Sequence, residues 1–108
     1  DPLVARFTLD PVCTIEGTNQ SDTITGTEGP DVICAGNGQD VVEALGGDDV
    51  VFGGNGRDLL DGGDGDDELF GENGTDTLNG GPGNDVLDGG NGKDDCDGGP
   101  GSNTELSC

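Results

Sequence analysis

The chain has 108 residues, 28% of them hydrophobic and only three aromatic, all phenylalanine, which puts a conventional packed core out of reach. Its 24 acidic side chains face only Arg6, Arg57 and Lys93, a formal charge of -21 that argues against nucleic acid or anionic membrane as a partner and favours cations. A Gly-rich acidic chain of this kind is expected to be disordered when free of metal, because too little apolar surface is available to offset the entropy of ordering.

Residues 1–16 are expected to form an N-terminal cap segment. Leu3, Val4, Phe7, Leu9 and Val12 make an apolar series that the following repeat does not accommodate, and Cys13 ends it. No apolar run approaches the length of a transmembrane helix, so no membrane insertion is expected. No charged, apolar leader stands at the start, and the expectation is a mature, processed chain.

From Gly17 to Asp97, nine blocks of nine residues follow without insertion or deletion, each approximating Gly-Gly-x-Gly-x-Asp-x-aliphatic-x. The sixth position is Asp22, Asp31, Asp40, Asp49, Asp58, Asp67, Asp76, Asp85 and Asp94. The eighth is Ile24, Ile33, Val42, Val51, Leu60, Leu69, Leu78, Leu87 and Cys96. The third position of alternate blocks is Asn19, Asn37, Asn55, Asn73 and Asn91, against Glu28, Gly46, Asp64 and Pro82 in the blocks between. A column that recurs every eighteen residues predicts a coil closed by two blocks, with two chemically distinct sides.

Departures gather at the ends. Thr18 and Gln20 in the first block, and Thr27 and Pro30 in the second, break the usual pattern, so weak cation binding is expected there. In the fourth block Ala44 and Leu45 precede Gly46 and Gly47 and leave Asp49 in place. In residues 98–108, the expected C-terminal cap, Asn103 takes the sixth position and Glu105 falls where an aliphatic belongs, so the repeat is expected to end.

Over residues 17–97 the blocks resemble the repeats-in-toxin (RTX) nonapeptide family, best in GGNGRDLLD from Gly53, GGDGDDELF from Gly62, GGPGNDVLD from Gly80 and GGNGKDDCD from Gly89. The resemblance implies an all-β, right-handed parallel β-roll, a β-solenoid in which six Gly-rich residues turn and three form a strand. Alternation along a strand then sends the eighth side chain inward and the seventh and ninth outward. One inward residue per strand makes a thin core, which stacking makes continuous.

The resemblance also implies calcium between turns of adjacent coils, held by Asp carboxylates of both and by turn carbonyls. Calcium takes six to eight oxygens of these kinds. Aspartates eighteen apart pair as Asp22/Asp40, Asp40/Asp58, Asp58/Asp76 and Asp76/Asp94 on one side, and as Asp31/Asp49, Asp49/Asp67 and Asp67/Asp85 on the other. Four plus three gives about seven Ca2+ sites, and the third-position Asn37, Asn55, Asp64, Asn73 and Asn91 join the candidate ligands. Ordinary turn chemistry suits Asp and Asn without metal. It does not explain stacked carboxylates with almost no basic partner, which repel one another. Seven ions would add +14 to -21 and leave -7. Sites absent from the unfolded chain turn their binding energy into folding energy.

Four cysteines in a chain suited to millimolar calcium fit an oxidising compartment, so a secreted, extracellular location is expected. A metal-thiolate site is a poor alternative, with no Cys-x-x-Cys and no His in the chain. In a roll whose coils stack at roughly 4.8 Å, Cys34 and Cys96 lie about three coils apart, beyond the ~7 Å Cα limit of a disulfide. Cys13 with Cys96 fails similarly unless a terminus travels the full height. Cys13–Cys34 and Cys96–Cys108 are the expected bridges, one clamping each end.

No enzyme is expected. Without His, Tyr or Trp and with three basic residues, the usual bases and oxyanion-stabilising groups are nearly absent, and the abundant carboxylates are accounted for by metal. The expected function is a secreted calcium-binding module, an extracellular scaffold or a secretion-assisting segment as RTX segments are in the family. The alternative is an adhesion module presenting a flat roll face to a partner, a sugar or ice. The Asn column resembles such a face, although Arg57 and Lys93 on that side would roughen it. Outward positions Val32, Val50, Phe52 and Phe70 are expected to form the only external apolar patch. Residues 1–12 are expected to cover it; the alternatives are that they plug the end of the roll and leave the patch to another chain, or that they are disordered.

Overall fold

The computed structural model describes residues 13–108. Eleven short strands follow in chain order: β1 (Ile15–Glu16), β2 (Thr23–Thr25), β3 (Val32–Cys34), β4 (Val41–Glu43), β5 (Val50–Phe52), β6 (Leu59–Asp61), β7 (Glu68–Phe70), β8 (Thr77–Asn79), β9 (Val86–Asp88), β10 (Asp95–Asp97) and β11 (Thr104–Leu106). Odd-numbered strands form one parallel sheet in the order β1-β3-β5-β7-β9-β11, and even-numbered strands form a second, β2-β4-β6-β8-β10. The chain is thus an all-β parallel solenoid of about five turns, with no helix among the described residues.

Register follows the sequence period. Val32, Ile33 and Cys34 pair with Val50, Val51 and Phe52, and these with Glu68, Leu69 and Phe70, eighteen residues further each time. Along each strand the middle side chain points inward. Ile33, Val42, Val51, Leu60, Leu69, Leu78 and Leu87 are fully buried in one core between the two sheets, with Ile24 nearly so and Ile15 and Cys96 packed partly against it. The first position of the block also faces inward, since Ala35 and Ala44 are fully buried in the same core. The sequence period alone did not expose that second inward position.

Tight turns connect the strands. In the sixth block Gly63 and Gly65 hold φ of 78° and 108°, a region that side chains oppose, and a Cβ on Gly65 would collide with the carbonyl oxygen of Gly47 one coil below. Leu45 and Glu72 occupy the second block position at φ of 71° and 67°, so the irregular fourth block keeps the turn at a cost in local strain.

The ladder runs one half-coil past each end of the nine-block run, through β1 before Gly17 and β11 after Asp97. In β11 the Glu105 side chain sits where an aliphatic would, exposed at the end of the roll, and its Oε2 accepts a hydrogen bond from Gly98 N–H at 2.9 Å. Pairing therefore continues after the aliphatic signal has gone. The disulfides are Cys13–Cys34 and Cys96–Cys108, with Cα separations of 5.9 and 5.8 Å, and they stitch the two ends of the solenoid.

Phe52 and Phe70 stack at 5.1 Å between ring centroids and are half-buried, as are Val32 and Val50 beside them. The covering role expected of residues 1–12 lies outside the described residues. A second external apolar pair, Val41 and Leu59, lies on the opposite sheet in register and is 38% and 45% exposed, so the Phe patch is not the only one.

Candidate metal sites

Each block's sixth-position aspartate ends a turn just before a strand, and the solenoid stacks these aspartates in two columns. From Asp31 to Asp85 they are at most 5% exposed, an unusual depth for carboxylates. Their two oxygens have different fates. Oδ1 of Asp40, Asp58, Asp76 and Asp94 accepts the backbone N–H of the aspartate eighteen residues earlier, at 2.7–2.9 Å. Oδ1 of Asp49, Asp67 and Asp85 does the same in the other column, at 2.7–2.8 Å. Each carboxylate thus braces the coil before it.

Oδ2 has no such role. In Asp40, Asp49, Asp58, Asp67, Asp76, Asp85 and Asp94 this oxygen is buried without a hydrogen-bond partner. An unmatched buried acceptor costs about 1–3 kcal/mol, and more when charged. Burial pushes the Asp58 and Asp67 carboxyls up to about 7 from an ordinary 3.8; column neighbours add repulsion, and the bond from the preceding coil's N–H only partly offsets both. Asp49 and Asp76 rise to about 6 for the same leading reason, and Asp40 and Asp85 are raised as well.

The tenth block shows what surrounds the orphaned oxygen. There Asn103 replaces aspartate, its Oδ1 accepting Asp85 N–H at 2.8 Å as in the column. Its Nδ2 stands where Oδ2 would and donates to the carbonyls of Gly99 at 2.8 Å and Gly101 at 3.5 Å, the second and fourth positions of its own turn. A group facing two carbonyl oxygens is well matched as a donor and badly matched as a carboxylate oxygen. With Asp in that place, an oxygen-seeking cation between carboxylate and carbonyls resolves the mismatch, and the donor set is the hard-oxygen set that suits calcium. The first-position glycine leaves room beside it: a Cβ on Gly53, Gly62, Gly71 or Gly80 would stand 2.6–2.8 Å from Oδ2 of its own block's aspartate.

Among the described residues, no three or more Asp, Glu or Cys side chains gather as a ready-made metal cluster. The geometry accounts for this, because each turn offers one carboxylate and the remaining oxygens are backbone. The third-position asparagines are engaged with one another. Asn37, Asn55, Asn73 and Asn91 each donate Nδ2 to Oδ1 of the Asn eighteen residues earlier, at 2.8–3.1 Å, in an exposed ladder that starts at Asn19. Asp64 is exposed in the turn of the other face. A fifth-position ladder on that face was not read from the sequence: Asp48, Asp66 and Asn84 each accept, on Oδ1, the N–H of the residue eighteen further on, at 2.8 Å. Its signal is the alternation of Asp or Asn at the fifth position of the fourth, sixth and eighth blocks.

These features define a class, a parallel β-solenoid with stacked carboxylate turns. The model of the RTX calcium-binding nonapeptide repeat matches residues 16–51, 43–78 and 70–105, which together span most of the chain. The chain belongs to the RTX calcium-binding repeat family. Comparison with curated proteins gave no match, and comparison with solved structures gave none either.

Proposed function

We propose that this chain is a secreted calcium-binding β-roll that folds when several Ca2+ ions enter its turns, serving as an extracellular scaffold or as a segment that assists secretion. The observation that carries the proposal is the set of seven buried carboxylate oxygens without partners, on a chain of charge -21. The sixth-position aspartates are the ligands in this reading, with second- and fourth-position carbonyls completing the oxygen shell. The third-position asparagines spend their side chains on one another and brace the turns from outside.

Membership of a calcium-binding repeat family and two end-clamping disulfides support the extracellular assignment. No described helix is long and apolar enough to cross a membrane. The secretion role follows from linkage. A ligand that binds only the folded state stabilises it by an amount that grows with the logarithm of its concentration above Kd, so low cytosolic calcium leaves the chain unfolded and outside calcium folds it. Extracellular modules work at about 10⁻⁴–10⁻³ M.

Far-UV circular dichroism across a calcium titration at neutral pH tests the proposal. The expected result is a cooperative gain of strand signal within roughly that range, reversed by chelator. A chelated chain that keeps the full strand signal would contradict it.

A further inference from the structure

The first turn of each aspartate column differs from those that follow. Thr18 N–H donates to Asp22 Oδ2 at 2.6 Å, and the Thr18 hydroxyl lies 3.0 Å from both carboxylate oxygens. Thr27 repeats the arrangement on the other side, its N–H 2.8 Å from Asp31 Oδ2 and its hydroxyl 2.9 and 3.2 Å from the two oxygens. Each hydroxyl oxygen in turn accepts a backbone N–H, from Gln20 at 3.1 Å and from Gly29 at 3.2 Å. These threonines stand at the second block position, where Gly54 and Gly63 hold φ of 82° and 78°; neither threonine adopts positive φ, nor do Gln20 and Gly29 at the fourth position. The backbone N–H is thereby turned toward the carboxylate. Asp22 and Asp31 accordingly do not appear among the carboxylates with an orphaned oxygen.

We infer that Thr18 and Thr27 take the place of the cation at the first carboxylate of each column, and that Asn103 does so at the far end of one, so calcium lies only between consecutive open carboxylates of a column. The inference rests on the calcium reading above. The seven open carboxylates fall into two runs, Asp40, Asp58, Asp76, Asp94 and Asp49, Asp67, Asp85. The first run makes three adjacent pairs and the second two, so five ions have an open carboxylate on both sides. That is two fewer than the nine aspartates alone suggest, because Asp22/Asp40 and Asp31/Asp49 each lose a carboxylate to threonine. The device suits a solenoid end, where a terminal turn has a neighbouring coil on one side only. In the folded chain a hydroxyl and an N–H satisfy the carboxylate of each of these end turns without an ion.

Equilibrium dialysis against saturating calcium counts ions per chain. Five are expected for the unaltered chain and for Asp31→Asn, and six for Thr27→Gly, which restores a Gly-Gly turn ahead of Gly29 and Asp31. A count of seven that falls to six in Asp31→Asn, or an unchanged five in Thr27→Gly, overturns the inference. Asp58→Asn serves as the control and is expected to lose ions. If it loses none, or if no chain binds calcium, the calcium reading itself fails.

Discussion

Replacing Asp67 by alanine is expected to cost more than replacing it by asparagine, and the two variants are expected to move in opposite directions once calcium is removed. Alanine deletes the Oδ1 that accepts Asp49 N–H at 2.8 Å and leaves that buried donor orphaned, at about 1–3 kcal/mol. Asparagine keeps the acceptor and presents an amide N–H toward the carbonyls of its own turn, as Asn103 does at the end of the roll. In calcium, both variants are expected to need a higher concentration to fold, since each removes a carboxylate shared by two candidate sites. In chelator, with an excluded osmolyte used to drive compaction, Asp67→Asn is expected to fold at lower osmolyte than the unaltered chain, and Asp67→Ala at higher. Circular dichroism reads the midpoints. An asparagine variant harder to fold than the parent in chelator would mean that buried charge is not what keeps the metal-free roll open.

Acidification is expected to order the chelated chain. Asp58 and Asp67, raised to about 7, and Asp49 and Asp76, raised to about 6, hold protons in the metal-free folded state that the unfolded chain, near 3.8, has already released. Where the folded state binds more protons, stability falls as pH rises. This contribution is fully present below the unfolded value and is lost as pH climbs through about 7. Calcium acts the other way, because it needs the ionised carboxylates, so its affinity is expected to weaken as pH drops below about 7. Strand signal measured in chelator between pH 8 and pH 5, above the sequence pI of about 4.1, is expected to grow toward acid. A signal that stays flat or shrinks on acidification would refute the burial argument.

Much of this architecture was legible because an eighteen-residue period dictates which residues stack. The columns Asp40, Asp58, Asp76 and Leu60, Leu78 are direct readings of register, and the pairing of Cys13 with Cys34 follows once coil spacing is known. What a period cannot tell is how one side chain divides its atoms. Nothing in the sequence separates the Asp67 oxygen that braces the coil below from the oxygen left without a partner. The ends were harder to read for a related reason. Thr18, Thr27 and Asn103 register as departures from a glycine and aspartate pattern, and only geometry shows that each supplies a donor where the other turns have none. Val41 and Leu59 stand at the seventh block position, which strand alternation already turns outward, so a second apolar pair on the opposite sheet was legible in the same period as Val32 and Val50.

On the calcium reading, the orphaned Oδ2 atoms of the two columns are cation ligands. A crystal structure grown in calcium, with anomalous difference density used to locate the ions, tests it most directly. Peaks are expected about 2.3–2.6 Å from Oδ2 of Asp58 and Asp67, with second- and fourth-position carbonyls completing the shell. Anomalous peaks confined to exposed carboxylates such as Asp64 or Asp95, with only water at the buried oxygens, would contradict it.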